Sequence, residues 1–285
     1  MLGSFCMLMI IKSKNRALKL DKPQVMAILN VTPDSFSDGG QFNSVERAVA
    51  QAGRMVEAGV SIIDIGGEST RPGAPAVSLE QELNRTIAVI GAIREKYDIW
   101  ISIDTSKAEV MRQAIEAGAD MVNDVRALSQ PEALDVVAHY QVPACIMHMQ
   151  GEPDTMQINP SYSNLISDVK AFLQQRIEAC MDAGIERQQL ILDPGFGFGK
   201  TLEDNYQLLN SFDSFETFGL PLLAGMSRKS MLFNVLNKKP AECMAGSIAC
   251  ATIAAIKGAH IIRVHDFEQT IDAMKVVDMT LKNKK

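Results

Sequence analysis

The chain contains no run of 18 apolar residues, so no segment reads as a membrane-spanning helix. It also lacks a surplus of basic charge: 28 Lys and Arg stand against 34 Asp and Glu, a formal net charge of −6 at pH 7. That balance argues against the broad phosphate-backbone surface of a nucleic-acid-binding protein, although a small cationic pocket stays compatible with it. CxxC spacing is missing too. Cys6, Cys145, Cys180, Cys243 and Cys250 are odd in number and read as reduced, mostly buried thiols of a cytosolic protein. The apolar start MLGSFCMLMII has no basic residue before it and no small-residue cleavage site after it, while Lys12, Lys14 and Arg16 lie on the wrong side for a secretory signal. An extra strand or a ragged terminus is the expectation for residues 1–11.

What remains is an ordinary globular composition, 47% apolar and 22% charged over 285 residues. A chain of that size buries a core without disulfide or metal staples. No linker, low-complexity segment or internal repeat divides it. Eight short apolar runs alternate with longer amphipathic stretches: VMAILN (25–30), SIIDI (61–65), WISID (100–104), MVNDV (121–125), PACIMH (143–148), LILD (190–193), PLLAG (221–225) and HIIRVH (260–265). Nearly continuous apolar runs indicate strands covered on both faces, as in parallel sheets. Between them, Val45, Val49, Ala52 and Val56 form a helical stripe, as do Ile271, Met274, Val277 and Leu281 behind the acidic pair Asp266 and Glu268. Residues 163–184 read as a long helix with Leu165, Val169, Phe172, Arg176 and Cys180 on one face. Gly59, Gly118 and Gly184 read as left-handed helix ends, and Met111 and Met274 as core filler. Eight βα units in about 250 residues predict an α/β fold of the (β/α)8 TIM-barrel kind. The alternative, a doubly wound open sheet, calls for a glycine-rich first turn, whereas NVTPDSFSDGG is long and polar.

In a (β/α)8 barrel the active site lies at the C-terminal strand ends. Those ends carry Asn30, Asp64 before GGESTRPG, Asp104-Thr105-Ser106, Asn123-Asp124, His148, Asp193 before PGFGFGKT, the segment GMSRKS, and Arg263 with His265. The opposite loops, such as those before the fourth and sixth strands, hold no comparable set. Helix N-capping accounts well for Asp124 and partly for Asp64, which stays open between structure and function. Thr105 or Ser106 can cap the helix that follows Asp104, and Asp193 precedes Pro194, so these two aspartates are the stronger functional candidates. GFGFGKT (195–201) fails the phosphate-loop pattern at Pro194 and the dinucleotide pattern at Lys200, and reads as a flexible glycine turn. His260 and His265 point to opposite faces of a strand and cannot share a metal. Without a His/Cys cluster a structural zinc is not expected, whereas a hard cation such as Mg²⁺, held by Asn30 and a substrate phosphate, is allowed. Arg71, Arg228, Lys229, Arg263 and His265 come from separate loops that a barrel gathers at one face, a set suited to a multiply charged anion.

In order, NVTPDSFSDGG (30–40), GGESTRPG (66–73), DTSK (104–107), VNDV (122–125), LDPGFGFGK (192–200), GMSRKS (225–230) and IRVHD (262–266) resemble the dihydropteroate synthase family of pterin-binding barrels. The resemblance runs from about Val25 to Leu281 and implies one barrel domain over 25–285 behind a variable segment, 1–24. It implies a transferase of folate biosynthesis that joins 6-hydroxymethyl-7,8-dihydropterin pyrophosphate to para-aminobenzoate, releasing pyrophosphate and giving 7,8-dihydropteroate. It further implies Mg²⁺, competition by sulfonamides, and a cytoplasmic homodimer. By that resemblance Asn30 holds the metal and diphosphate end. Asp104, Asn123, Asp193 and Lys229 bind the pterin, and Arg263 and His265 grip the diphosphate. Thr70, Arg71 and Ser230 line the aminobenzoate side with Phe36 and Pro72, and Phe198 is a further substrate contact. Asp104, Asp193, Lys229 and Arg263 form the catalytic set.

The residue chemistry agrees with those roles. A pterin edge offers N–H donors and a carbonyl, which two carboxylates, an amide and an ammonium satisfy. An SN1-like departure of diphosphate needs no protein nucleophile, and the first loop is expected to close over the intermediate. A corrinoid methyltransferase of the same fold would share the aspartates and Asn123 without needing Arg71, Ser230 or the Arg263–His265 grip. A non-catalytic scaffold barrel predicts missing strand-end residues, and none is missing.

Overall fold

A computed structural model describes residues 9–32, 41–69, 76–151, 156 and 160–283. A short antiparallel hairpin, β1 (Ile10–Ser13) and β2 (Arg16–Lys19), comes first. Eight parallel strands follow: β3 (Gln24–Asn30), β4 (Ile62–Gly66), β5 (Trp100–Asp104), β6 (Met121–Asp124), β7 (Ala144–Met147), β8 (Leu190–Asp193), β9 (Leu223–Ala224) and β10 (Ile261–Val264). They pair in the order β8-β7-β6-β5-β4-β3-β10-β9, and a parallel bridge between Leu192 and Leu222 closes the ring. Outside them run α1 (Gln41–Ala58), α2 (Leu79–Lys96), α3 (Ala108–Ala117), α4 (Ala133–Tyr140), α5 (Leu165–Asp182), α6 (Leu202–Asn210), α7 (Ser230–Leu236), α8 (Met244–Ile256) and α9 (Phe267–Lys282). All eight expected runs become barrel strands, so the fold is the (β/α)8 barrel. PLLAG is trimmed most, to Leu223–Ala224.

Strand alternation sets what each residue faces. Ala27, Leu29, Ile63, Ile65, Ile101, Ile103 and Val122 point outward and are buried beneath the helices. Met26, Ile62, Trp100, Met121, Cys145, Ile191, Leu223 and Ile261 point inward and form a separate apolar cluster, plugged from below by Ile11 and Leu20 of the hairpin region. Two residues further along β4, β5, β6, β8 and β10 the inward position turns polar, giving Asp64, Ser102, Asn123, Asp193 and Arg263. The inward-facing side chains are therefore apolar toward the floor and charged at the mouth.

The helical stripes are as the sequence indicates. Val49, Ala52, Met111 and Met274 are buried, and α5 buries Leu165, Val169 and Cys180. Arg176 reaches the carbonyls of Ala127 and Leu128 at 2.9 and 3.1 Å. The four described cysteines, Cys145, Cys180, Cys243 and Cys250, are buried and unpaired.

Two expectations need correction. The floor is not bare: buried Asp120, just before β6, takes Arg94 at 2.5 Å and the Ile101 amide at 2.8 Å, with Arg16 of the hairpin at 3.3 Å. These pairs fix the hairpin to the barrel. Neither Thr105 nor Ser106 caps α3, whose N-cap is Lys107 with no side-chain bond. Thr105 Oγ1 accepts from the Lys107 amide at 3.2 Å, while Ser106 donates to Asp124. Asp124 also takes the amides of Arg126 and Leu128, at 2.8 and 2.7 Å, so it stabilises the turn after β6 rather than a helix end.

Candidate active site

At the barrel mouth Asn30, Gly66 and Asp104 are paired across three adjacent strands, and Asp104 is paired onward with Asn123. A Cβ at Gly66 would lie 3.6 Å from Asp104 Cβ and 3.8 Å from Asn30 Oδ1, in ordinary van der Waals contact with both. Arg263 crosses the barrel from β10. Its Nε donates to Asp64 Oδ2 at 2.6 Å and its Nη2 to Asp104 Oδ2 at 2.5 Å. Asn123 Nδ2 donates to the same oxygen of Asp64 at 3.1 Å. Burial would lower the Arg263 pKa, but the charges of Asp64 and Asp104 outweigh it and raise it. Burial pushes the Asp104 carboxyl up to about 7, opposed by Arg263 and reinforced by the negative charge of Asp64.

A second pair faces this one from β8 and the loop after β9. Asp193 Oδ1 accepts from the Gly195 amide at 2.7 Å. Its pKa is raised by burial, with Lys229 as the main opposing charge. Lys229 Nζ donates to the Phe196 carbonyl at 2.7 Å and lies 4.4 Å from the centroid of the Phe198 ring, a cation–π distance. Burial lowers the Lys229 pKa to about 8 against the pull of Asp193. Phe198 packs with Val125, Met147 and Met156 as an apolar wall. His265 meets Ser227 through both its amide and Nδ1, each at 3.1 Å. Ser230 opens α7 directly after Lys229.

The structure thus brings Asp104, Asn123 and Arg263 into one connected set, with Asn30 alongside in register and Lys229 and Phe198 joined to Asp193 by the loop after β8. Phe36, Thr70, Arg71, Pro72 and the first loop lie outside the described residues. The expected cationic cluster is altered in two respects. Arg228, in a left-handed conformation at φ 58°, turns its guanidinium onto Asp266, and Arg263 is shared by two carboxylates. Among the described residues the mouth is a charge-paired pocket rather than an unbalanced patch of positive charge. Asp64, open between structure and function in the sequence, lies inward by parity with Ile62 in IIDIG. It is fully buried and directly bonded to Arg263, so it is part of the site. His260 sits at the other end, where its Nδ1 accepts from the Leu222 amide at 3.2 Å.

The glycine turn after β8 is not a loose connection. Lys200, 2% exposed, donates from Nζ to the carbonyls of Gly195 and Phe198 at 2.8 and 3.2 Å. Among the described residues no group of three His, Cys, Asp or Glu side chains could hold a metal ion, and no helix is long and apolar enough to cross a membrane.

Comparison with known proteins matches this arrangement. The family profile for pterin binding enzymes covers residues 26–265. The dihydropteroate synthase of Escherichia coli (strain K12) is 53% identical over 272 residues, spanning 95% of this chain and 96% of that protein. The Yersinia pestis dihydropteroate synthase in complex with a sulfonamide drug superposes with a TM-score of 0.92 at 51% identity, covering 96% of this chain and 100% of that one. The Xanthomonas albilineans enzyme with 4-aminobenzoic acid gives a TM-score of 0.92 at 46% identity, covering 98% and 100% of the two chains. With the pterin-binding motifs in register on a (β/α)8 barrel, this chain belongs to the dihydropteroate synthases of the pterin binding enzyme family.

Proposed function

We propose that the mouth formed by Asp64, Asp104, Asn123, Asp193, Lys229 and Arg263 carries out the reaction of this family. That reaction condenses 6-hydroxymethyl-7,8-dihydropterin pyrophosphate with para-aminobenzoate to give 7,8-dihydropteroate and pyrophosphate. The observation that carries the assignment of roles is the gathering at one barrel end, around Asn123, of Asp104 ion-paired to Arg263 and of Asp193 with the charge of Lys229 opposing its burial. Asp104, Asp193 and Asn123 receive the pterin N–H groups and Lys229 its carbonyl, while Phe198 covers one face. The bond from the exocyclic methylene to the diphosphate oxygen breaks, and the electron pair leaves with pyrophosphate. The two carboxylates stabilise the cation left on the pterin, and Arg263 and His265 stabilise the departing anion. The arylamine nitrogen then forms the new C–N bond and loses a proton to solvent. It is unprotonated at neutral pH, so no strong protein base is required. Thr70, Arg71, Pro72, Phe36 and Ser230 complete the aminobenzoate side.

Magnesium fits this donor set. Asn30 offers one amide oxygen toward the row it shares with Gly66 and Asp104, and a hard cation that retains most of its water needs few protein ligands beside substrate phosphates. When bound, it would add charge stabilisation for the leaving diphosphate. The exposed side chains of Ile253 and Ile256 on α8, with Val276 and Met279 on the adjoining α9, support a homodimer. The four free buried thiols support a reducing, cytoplasmic setting. Sulfonamides are expected to compete with para-aminobenzoate. A coupled pyrophosphate-release assay with both substrates and Mg²⁺, with and without a sulfonamide, tests the reading. Release that depends on the arylamine and is suppressed by the drug supports it, and no release refutes it.

A further inference from the structure

Lys200 has no part in the chemistry above, yet it is among the most buried charged side chains of the chain. An ammonium held away from water is unfavourable unless its donors are all taken. Here three acceptors surround Nζ: the Gly195 carbonyl at 2.8 Å, the Phe198 carbonyl at 3.2 Å and His148 Nδ1 at 2.9 Å. Burial pulls the Lys200 pKa down to about 7, with the charge of Asp193 opposing; in the protonated form its three N–H groups complete the set when His148 is neutral with Nδ1 accepting. Burial, together with the charge of Lys200, keeps His148 neutral by lowering its pKa to about 3.

The two carbonyls are not arbitrary points of the loop. Gly195 is the residue whose amide binds Asp193. Phe198 is the residue whose ring lies under the ammonium of Lys229, and Phe196 between them supplies the carbonyl to which Lys229 donates. His148 is itself tied to β8, since its amide donates to the Asp193 carbonyl at 2.9 Å. The first anchor, Gly195, and Gly197 between the two are in left-handed conformations, φ +76° and +82°. Glycine loses the most conformational freedom on folding, so such a turn needs an external anchor to hold one geometry. From this arrangement we infer that Lys200 is a positioning residue for the pterin subsite: by pinning the carbonyls of Gly195 and Phe198 it fixes the loop that sets the places of Asp193 and Lys229. The inference rests on the pterin-binding role assigned to those two residues.

The test compares the intact enzyme with Lys200→Met, which keeps the length and apolar stem of the side chain. Calorimetry measures a pterin ligand and pyrophosphate separately, and steady-state kinetics gives kcat and both KM values. Lys200→Met is expected to weaken pterin at least tenfold and raise its KM accordingly, with pyrophosphate affinity within twofold of wild type. A purely structural role would lower the melting temperature and leave the ligand ratio unchanged. Pterin affinity within threefold of wild type, or equal losses for both ligands, overturns the inference. His148→Leu and His148→Asn supply an arm that does not depend on Lys200→Met folding. The leucine leaves one N–H of Lys200 without an acceptor and should weaken pterin selectively, and the asparagine restores an acceptor oxygen and should recover most of the affinity. Identical behaviour of these two variants also overturns the inference. If wild type itself fails to bind the pterin, it is the functional assignment that falls instead.

Discussion

Replacing Asp64 by asparagine tests the sharing of one guanidinium between two buried acids. Asp64 and Asp104 hold Arg263 at 2.6 and 2.5 Å. Asp104 gives up its proton only near pH 7, through burial first, with Arg263 opposing and the charge of Asp64 adding to the effect. Two carboxylates on one guanidinium stand roughly 6 Å apart, and at an effective dielectric of about 20 their repulsion is about 2.8 kcal/mol, close to a hundredfold in an ionisation constant. Solvent at the mouth reduces this, so Asp64→Asn should let Asp104 ionise about tenfold to a hundredfold more readily. A carbon-13 NMR titration of the aspartate carboxyls, with Asp104→Asn for assignment, measures the change directly. Unfolding in urea measures its consequence. Because the folded chain keeps a proton on Asp104 that the unfolded chain loses above the ordinary value of 3.8, stability contributed by this group is present at low pH. It falls as pH rises from about 4 through 7, by up to about 4 kcal/mol. Asp64→Asn should flatten that fall. If Asp104 titrates at the same pH or higher in the variant, the shared-guanidinium reasoning is wrong.

Three further outcomes follow from separate parts of the molecule. Gly195→Ala places a Cβ 1.8 Å from the His148 carbonyl oxygen at φ +76°, so it should cost about 3 kcal/mol in urea unfolding and weaken pterin binding as well. Ile11→Ala empties a fully buried position at the barrel floor and should cost about 2–4 kcal/mol while leaving pterin affinity within twofold, and a loss of affinity there would contradict the separation of floor from mouth. Asp193→Asn should weaken pterin about tenfold or more, whereas Arg263→Ala should weaken mainly pyrophosphate. Calorimetry with each ligand separately decides between these, and equal losses in both variants would reject the assignment of roles.

Much of the site was legible because strand ends are local features. Once WISID, LILD and HIIRVH read as barrel strands, Asp104, Asp193 and Arg263 had to lie near one another at the same end. The partners of those residues were not legible. Asp64 could be weighed only as a capping residue, because nothing in IIDIGGES says that an arginine 199 positions away enters the barrel and bonds to it. Arg228 and Arg263 both looked free to receive an anion, and each turns out to have carboxylate partners, Asp266 in one case and Asp64 with Asp104 in the other. GFGFGKT read as flexible because glycine is permissive by itself. Its order comes from Lys200 folding back onto its carbonyls and from His148 on the neighbouring strand. The loop before β6 looked unremarkable until Asp120 met Arg94 and Arg16 across the floor.

The amino-acid sequence by itself determined the eight-unit barrel, the end at which chemistry gathers and the family, because hydrophobic periodicity and contiguous motifs are properties of short segments. Only the tertiary structure decided which charges neutralise which, and with them the ionisation of Asp104, Lys229 and His148. Those depend on burial and on distances of a few ångströms between residues from different strands, which no local pattern encodes. The apparent deficit of positive charge is likewise a whole-chain average, whereas among the described residues at the mouth Arg263 and Arg228 meet their carboxylates at short range.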